Sequence, residues 1–340
     1  MSAAVVRVAV VGCGAFGRNH ARVYRQLQQE SAGIDFVGVV DNNPQRAQSI
    51  AAEFGTQSIA SIGDLRGKIE AASVAVPTSH HLSVARELMQ SGADVLIEKP
   101  VASTLAEADE LIDIASKTGR IAQVGHLERF NPAVMATVEL VTKPMFFEVH
   151  RLSVFTPRSL DVDVIMDLMI HDLDIVLSLV KSPVREIRAV GLPVISDKVD
   201  IANVRVEFQS GCVANFTASR VSTEKVRKLR FFQPHEYISI DYGRQDVISI
   251  RVDEKAAAAL LRGEVSPTRI GPAPGIAINK PKVEAGEPLR TEIGAFLSAV
   301  RSRSVPQISL NEGRAALALA LQINEAIVKH HQRADLGGIS

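Results

Sequence analysis

The chain has 340 residues, of which 46% are hydrophobic and 22% charged, a globular composition at a length that favours two domains. Basic and acidic residues balance at 38 each, and aromatic residues make up only 4%. These totals argue against a nucleic acid or a membrane surface as partner. Cys13 and Cys212 form no metal-type cluster, and no apolar run is long enough to span a bilayer. Reduced thiols and a cytoplasmic location are therefore expected.

Short apolar runs alternate with helical patterns in the first part of the chain. This rhythm predicts an α/β domain over residues 1–125, with a doubly wound parallel sheet and crossover helices. The predicted strands are Val5–Val11, Asp35–Asp41, Ala72–Val76, Asp94–Glu98 and Arg120–Gly125. A helix from Ser103 to Lys117 has Thr104 and Glu107 at the spacing of a capping box, and it is expected to end at Gly119.

Alternating strand patterns replace this rhythm after Val141. Strands are predicted at 145–152, 200–209, 212–221, 225–233 and 236–242. The second and third of these are expected to form a hairpin with a two-residue turn at Ser210 and Gly211. Residues 126–287 are thus expected to be an α+β domain with an open, mainly antiparallel sheet, containing an apolar helix at 162–180 and a long loop at 254–287. Two helices, Pro288–Ser302 and Asn311–His331, are expected to close the fold within residues 288–335.

The stretch GCGAFG lies between the first predicted strand and the first helix. Gly12, Gly14 and Gly17 have the spacing of a dinucleotide-binding turn. One glycine allows the tight turn, one lets the backbone approach a pyrophosphate, and one lets helix and strand pack closely. The helix start that includes Ala15 and Phe16 offers backbone N–H groups and a dipole to the phosphates.

Asp41 ends the second predicted strand, 24 residues after Gly17. A carboxylate at this position accepts hydrogen bonds from the adenosine ribose and repels a 2′-phosphate, so NAD is favoured over NADP. Arg46 leaves NADP open. The combination predicts a Rossmann NAD-binding domain, and a tight turn without a ligand is the alternative.

Open parallel sheets bind ligands beyond the carboxyl ends of their strands, and two stretches of the chain fall there. After the third strand, Pro77 and Thr78 are expected along the cofactor and His81 near its nicotinamide. The alternative for His81 is an ordinary residue at a helix start. After the fourth strand, Glu98 and Lys99 are expected at the cleft rim, and Lys99, between a buried strand and a proline, is a catalytic candidate.

The apolar helix at 162–180 carries one narrow polar stripe. At about 100° per residue, five polar side chains fall within about 80° of one another, whereas Asp172 lies alone on the opposite side. The five are Asp163, Asp167, His171, Asp174 and Ser178. A narrow stripe on a helix that is otherwise buried is expected to face a cleft or a polar partner.

Asp167 and His171 lie four residues apart on this stripe and have three interpretations. His171 is a general base or acid oriented by Asp167, or both are metal ligands, or both belong to a packed polar stripe without chemistry. No metal is expected, because no third or fourth ligand is evident. Lys99, beside the predicted dinucleotide cleft, favours the catalytic interpretation.

These features together resemble the glucose–fructose oxidoreductase/inositol dehydrogenase (Gfo/Idh/MocA) family. The shared features are GCGAFG, Asp41, the EKP stretch at 98–100, and Asp167 and His171 followed by DLD. The resemblance covers almost the whole chain and implies NAD(P)-dependent oxidation of a secondary sugar or cyclitol hydroxyl. It makes Lys99, Asp167 and His171 the catalytic trio, and it implies a homodimer or homotetramer formed through the C-terminal sheet.

Within that family, residues 125–132, 150–175 and 235–242 are most similar to the UDP-N-acetylglucosamine 3-dehydrogenase group. This resemblance implies oxidation at C3 of UDP-N-acetylglucosamine, whose diphosphate requires cations. Arg129, Arg151 and Arg158 are the candidates, with surface or structural arginines as the alternative. Two other functions stay open: an inositol or free-sugar dehydrogenase, and a non-catalytic NAD-binding regulator.

Overall fold

A computed structural model describes residues 5–156, 162–253, 255, 258–259, 262–263 and 276–334. They divide into two compact units. The first lies within Met1–Leu127 and Glu287–Ala318, and the second within Glu128–Gly286 and Leu319–Ser340. None of the described helices combines the length and the apolar character needed to cross a bilayer.

The first unit contains a parallel sheet in the order β3-β2-β1-β4-β5-β6. Its strands are β1 (Val6–Val11), β2 (Ile34–Val40), β3 (Gln57–Ile59), β4 (Ala71–Val74), β5 (Asp94–Glu98) and β6 (Ala122–Gly125). The predicted doubly wound sheet is confirmed. Sequence analysis missed β3, an edge strand of three residues that is too short to show a periodic pattern.

The helices of both units follow the predicted pattern closely. They are α1 (Ala15–Gln29), α2 (Pro44–Phe54), α3 (His81–Gln90), α4 (Leu105–Thr118), α5 (Pro132–Thr137), α6 (Ile170–Val180), α7 (Pro288–Ser302) and α8 (Leu310–Arg333). The capping box of α4 is present. The Glu107 N–H donates to Thr104 Oγ1 at 3.2 Å, and the Glu107 carboxylate accepts from the Ser103 N–H at 2.8 Å.

An apolar core lies between the first sheet and helices α1 and α7. Val8 and Val10, two residues apart on β1, share a face and contribute to the same cluster as Tyr24 of α1 and Phe296 of α7. The Arg301 guanidinium near the end of α7 also donates to the carbonyls of Ala32 and Gly33 before β2. Helix α7 therefore belongs to the first unit, although it follows the whole second sheet in the chain.

The second unit contains an open sheet in the order β14-β13-β12-β11-β7-β10-β9-β8. Its strands are β7 (Phe146–Val154), β8 (Val184–Leu192), β9 (Ile201–Phe208), β10 (Val213–Ser222), β11 (Val226–Gln233), β12 (Glu236–Asp241), β13 (Asp246–Val252) and β14 (Ile276–Asn279). All described neighbours are antiparallel except β7 and β10. The predicted open, mainly antiparallel sheet is confirmed.

Three strands of this sheet differ from expectation. Strands β8 and β13 were not predicted. Strand β14 lies inside the segment 254–287 that was expected to be a loop, so that expectation was wrong at 276–279. A four-residue edge strand is specified by its partner β13 more than by its own sequence.

The hairpin between β9 and β10 is confirmed, but its turn has three residues. The Phe208 N–H donates to the Cys212 carbonyl at 2.9 Å, which leaves residues 209–211 in the loop. The Gly211 N–H donates back to the Phe208 carbonyl, and Gly211 has a φ of +84°. This is the turn-plus-left-handed-residue arrangement of three-residue hairpins, and the glycine sits where φ must be positive.

A buried ion pair connects helix α6 of the second unit to strand β7 of the second sheet. Asp172 on α6 is 1% exposed and Arg151 on β7 is 3% exposed. Two parallel hydrogen bonds of 2.6 and 2.9 Å join them, and Arg151 donates a third to Glu128 at 3.0 Å. The guanidinium also lies 5.2 Å from the ring centre of Tyr242. Asp172, isolated on the far side of the predicted helix, thus has a structural partner.

Removing one partner of this pair should be costly. We expect Asp172→Ala to lower the free energy of unfolding by about 3–5 kcal/mol, because it leaves a buried guanidinium without its bidentate carboxylate. Urea unfolding followed by circular dichroism measures the change. Glu186→Ala is the control, since Glu186 pairs with Arg188 on an exposed strand surface and should shift the midpoint little. Equal midpoints for the two variants would contradict a stabilising role for the buried pair.

Candidate functional site

The turn from β1 into α1 is built around glycines for two different steric reasons. At Gly12, where φ is +96°, a Cβ would lie 2.4 Å from the Ala75 carbonyl oxygen. At Gly17 a Cβ would lie 1.7 Å from the Gly12 carbonyl oxygen. At Gly14, by contrast, a Cβ would meet no atom within 4 Å. Gly12 and Gly17 therefore serve the packing of the turn, while open space lies beside Gly14.

That open space belongs to a cleft of about 680 Å³ within the first unit. The cleft lies at the carboxyl ends of β1, β2 and β4, where the strand order reverses and open sheets bind their ligands. Its lining includes Gly12, Gly14, Ala15, Phe16, Asp41, Arg46, Pro77 and His80. The start of α1 has no side-chain cap, so backbone N–H groups there are available to an anion.

Asp41 holds two edges of this cleft together. Its Oδ2 accepts a hydrogen bond from the Cys13 N–H at 2.7 Å, and its Oδ1 accepts one from the Asn43 N–H at 2.8 Å. Each oxygen retains a lone pair for a further donor. The Arg46 guanidinium lies 3.6 Å from Oδ2. Burial raises the pKa of Cys13 to about 12, so this residue is a neutral thiol between the glycines.

Of the two residues predicted after Pro77, His81 occupies different surroundings from those expected. Thr78 is half-buried and begins a short 3₁₀ turn. His81 is 1% exposed, with Nδ1 2.9 Å from the Pro100 carbonyl oxygen and Nε2 3.0 Å from that of Val76. Burial lowers its pKa, while the two carbonyl acceptors oppose that shift because both favour an N–H on the ring. His81 thus links two loops as a buried residue at the start of α3, and His80 lines the cleft instead.

The side chains of Glu98 and Lys99 lie in different surroundings at the end of β5. Lys99 is half-buried, whereas the Glu98 side chain turns into the interior of the first unit. Its Oε1 lies 2.8 Å from His20 Nε2, and His20 Nδ1 lies 2.9 Å from Ser73 Oγ. Burial opposes ionisation of Glu98, but the hydrogen bond that it accepts from His20 and the nearby charge of Lys99 bring its pKa below the ordinary value. The expected position of Glu98 at the cleft rim is therefore wrong.

The polar stripe of the second unit is altered by a π-helical turn, Ile165–Met169, that precedes α6. Hydrogen bonds in a π-turn span five residues, so the predicted spacing of 100° per residue does not hold across it. Asp163 begins this turn by accepting from the Ile165 and Met166 N–H groups at 2.9 Å. Asp167 and His171 are half-buried.

Two residues that were expected to face a ligand, Asp174 and Arg151, are instead engaged in buried ion pairs. Asp174 is buried, and its Oδ1 lies 3.8 Å from a nitrogen of the mostly buried Arg129. Arg151 is committed to Asp172 and Glu128, so the prediction that it binds a diphosphate was wrong. Arg158 lies outside the described residues. These ion pairs join distant segments and leave no local pattern in the sequence.

Sequence analysis also missed a cation beside this network. Arg227 on β11 lies 3.7 Å from a Glu128 oxygen with its side chain 38% exposed. Burial, and then the charge of Arg151, lower its pKa. The regular alternation of β11 predicted a strand but could not indicate which of its basic residues meets a buried ion pair.

Comparison with known proteins supports a specific assignment. Residues 6–126 match the family described as an oxidoreductase family with an NAD-binding Rossmann fold, and residues 145–233 match its GFO/IDH/MocA C-terminal domain. UDP-N-acetylglucosamine 3-dehydrogenase from Acidithiobacillus ferrooxidans is 35% identical over 329 residues, covering 96% of this chain and 99% of that protein. Its crystal structure covers 95% of this chain and 98% of its own, with a TM-score of 0.84.

More distant relatives share the same architecture. Inositol 2-dehydrogenase 1 from Saccharopolyspora erythraea is 26% identical and covers 93% of this chain and 92% of its own. A levoglucosan dehydrogenase in complex with NADH and levoglucosan has a TM-score of 0.79 at 18% identity, covering 95% of this chain and 97% of its own, which shows the fold alone. With a Rossmann unit, a glycine turn at an open cleft and a full-length relative at 35% identity, the chain belongs to the Gfo/Idh/MocA family of NAD-binding dehydrogenases.

Proposed function

We propose that this protein is an NAD-dependent dehydrogenase that oxidises the C3 hydroxyl of UDP-N-acetylglucosamine. The observation that carries the proposal is the likeness to the Acidithiobacillus ferrooxidans enzyme, which extends over 96% of this chain and 99% of that protein. A shared Rossmann domain alone would support only the cofactor. A match that also extends along the second unit supports the substrate as well.

The cleft of the first unit fits NAD. The backbone at Gly12, Gly14, Ala15 and Phe16 would hold the pyrophosphate, where Gly14 leaves room for it. Asp41 would accept hydrogen bonds from the ribose hydroxyls with the lone pairs that Cys13 and Asn43 leave free. Pro77 and Thr78 would lie along the cofactor. The nicotinamide supplies the hydride-accepting chemistry when it is bound.

The roles of this chain's own residues follow from their chemistry. His171 accepts the proton of the sugar hydroxyl as hydride leaves the carbon. Lys99 donates a hydrogen bond to the same oxygen and stabilises the developing alkoxide charge. Asp167, four residues before His171, orients His171 or the sugar. Arg129 and Arg158 remain the proposed contacts of the diphosphate, and the half-exposed Arg227 takes the place first assigned to Arg151.

Removing either proposed catalytic group should stop turnover but spare the cofactor site. We expect His171→Ala and Lys99→Met each to lower kcat by at least about 100-fold, the usual scale of general acid–base catalysis. NADH formation from NAD⁺ and UDP-N-acetylglucosamine, followed at 340 nm, measures kcat, and calorimetry measures NAD⁺ binding. Lys117→Met is the matched control, because Lys117 is an exposed lysine paired with Asp113 on α4. A variant that keeps near wild-type turnover excludes that residue from the mechanism.

The charge of Asp41 should decide the cofactor. We expect Asp41→Asn to lower the ratio of kcat/KM for NAD⁺ over NADP⁺ by about tenfold or more, because the repulsion of a 2′-phosphate is lost. Asparagine has nearly the same shape but a single acceptor oxygen, so it can keep only one of the contacts with the Cys13 and Asn43 N–H groups. Steady-state kinetics with both cofactors give the ratio. An unchanged ratio would mean that Asp41 has no part in cofactor choice.

An inositol or free-sugar dehydrogenase is the second candidate, favoured by the 26% likeness to an inositol 2-dehydrogenase along most of the chain. Turnover of UDP-N-acetylglucosamine and myo-inositol, compared under the same conditions, separates the two. Protein that binds NAD⁺ and oxidises neither would instead support the non-catalytic regulator. Any NADH retained during purification must be measured first, since it would mask binding.

We also propose that the protein forms a homodimer or homotetramer and that it is located in the cytoplasm. The eight described strands of the second unit form one wide open sheet, a surface suited to pairing with a second copy. The two cysteines are buried free thiols, which suits a reducing compartment. Light scattering of the purified protein determines the number of copies.

A further inference from the structure

The interior of the first unit contains a hydrogen-bonded chain that ends at the Glu98 carboxyl, with the Glu292 carboxyl beside it. The Tyr24 hydroxyl lies 2.9 Å from Ser73 Oγ, which lies 2.9 Å from His20 Nδ1. His20 Nε2 in turn lies 2.8 Å from Glu98 Oε1. One set of directions satisfies every atom: Tyr24 donates to Ser73, Ser73 donates to the imidazole, and the Nε2–H donates to Glu98. Glu98 thereby accepts a donor and can carry charge.

Glu292 on α7 is next to this chain but outside its hydrogen bonds. Its side chain is 0% exposed, and neither carboxyl oxygen has a hydrogen-bond partner among the described residues. One of its oxygens lies within 4.8 Å of both His20 and Glu98 atoms of the chain. A buried ionised carboxylate without a donor is costly, and a second negative charge this close to Glu98 adds to that cost.

The surrounding charges favour the neutral form of Glu292. Tyr24 and His20 of α1 lie near Glu292. Glu98 of β5 also lies near it, and the pKa of Glu98 is in turn affected by Lys99 and His81. Burial, and then the charge of Glu98, raise the pKa of Glu292 well above the ordinary carboxyl range. The opposite shift of Glu98 means that the two carboxyls divide their roles, one charged and one protonated.

We propose that Glu292, which keeps a proton, is a positioning residue for Lys99, because its neutral carboxyl leaves the Glu98–Glu292 pair with a single negative charge. Glu98 immediately precedes Lys99 at the end of β5. A Glu98 side chain bonded to His20 and lying beside a neutral, polar carboxyl fixes the strand end that carries Lys99. It also fixes the negative charge that attracts the Lys99 ammonium. The role of Lys99 rests on the proposed function, whereas the retained proton does not.

The retained proton is tested by the pH dependence of stability. A carboxyl whose pKa is higher in the folded than in the unfolded chain stabilises the fold fully below the unfolded pKa. That stabilisation is lost as the pH rises toward the folded value. Glutamine mimics the protonated carboxyl and does not titrate. We therefore expect the melting temperature of Glu292→Gln, relative to wild type, to increase as the pH rises above the ordinary carboxyl range.

Ile293→Val is the control for this experiment, because it changes the buried apolar surface of the same helix without changing charge. Its difference from wild type should not depend on pH. A Glu292→Gln difference that is equally independent of pH would overturn the proposal. No substrate is involved, so the result stands even if the proposed function is wrong.

The positioning role is tested by kcat on whichever sugar substrate is turned over. We expect Glu292→Gln to keep kcat within about twofold. Glu292→Leu should lower it about tenfold or more while NAD⁺ binding is retained, since small displacements at a reacting group are costly. Losses of equal size in both variants would show that a charge is required at Glu292 and overturn the proposal. A stoichiometric metal ion found by mass spectrometry in wild type but not in Glu292→Gln would also overturn it, and wild-type kcat in Glu292→Leu would exclude positioning.

Discussion

Two positions in the turn between β1 and α1 have no space for a side chain, and the first unit is arranged around that constraint. Gly17 lies against the Gly12 carbonyl and Gly12 lies against the Ala75 carbonyl, so β1, α1 and the end of β4 meet at van der Waals distance. Asp41 adds the end of β2 by accepting from the Cys13 N–H. The cleft beside Gly14 is the space that remains once these backbones are in contact, and the start of α1 opens into it. An anion site therefore follows from packing.

Buried charge organises the chain immediately beside each proposed catalytic residue. In the first unit Glu98 points inward to His20, and the next residue in the chain is Lys99. In the second unit Asp172 points inward to Arg151, and the preceding residue is His171. Neighbouring side chains on a strand or helix point in different directions, so anchoring one of them in the interior fixes the direction of the other. In both cases the anchor is a carboxylate hydrogen-bonded to a buried side chain, and such a directional contact resists rotation more strongly than an apolar contact of the same size.

The buried ion pair of Arg151 also decides which basic residues of the second unit are available to a ligand. An arginine that forms two parallel bonds to one carboxylate and a third to another has little left to offer a ligand, so Arg151 is part of the frame. Arg227, half-exposed on the adjacent strand, borders that frame and is open on one side.

Sequence alone determined the features that depend on short-range periodicity and on local sterics. The parallel strands, the glycine turn, the Thr104 capping box and the bounds of α7 were predicted because each is encoded within a few neighbouring residues. The segments that were missed or misjudged were the strands β3, β8, β13 and β14, the length of the hairpin turn at Gly211, and the π-turn before α6. In each of these, the partner strand or the surrounding contacts override the local preference.

The pairing of buried polar groups was decided by the tertiary structure alone. Periodicity shows which face of an element is apolar, but it carries no information on which charged residue of another element lies opposite. Glu98 was therefore expected at the cleft rim and is found against His20 and Glu292, from helices far apart in the chain. The pairing of Arg151 with Asp172 and the position of His81 between two loop carbonyls were likewise not encoded in any local pattern. The free energy of a buried charge depends on all its neighbours at once, and those neighbours come together only when the chain has folded.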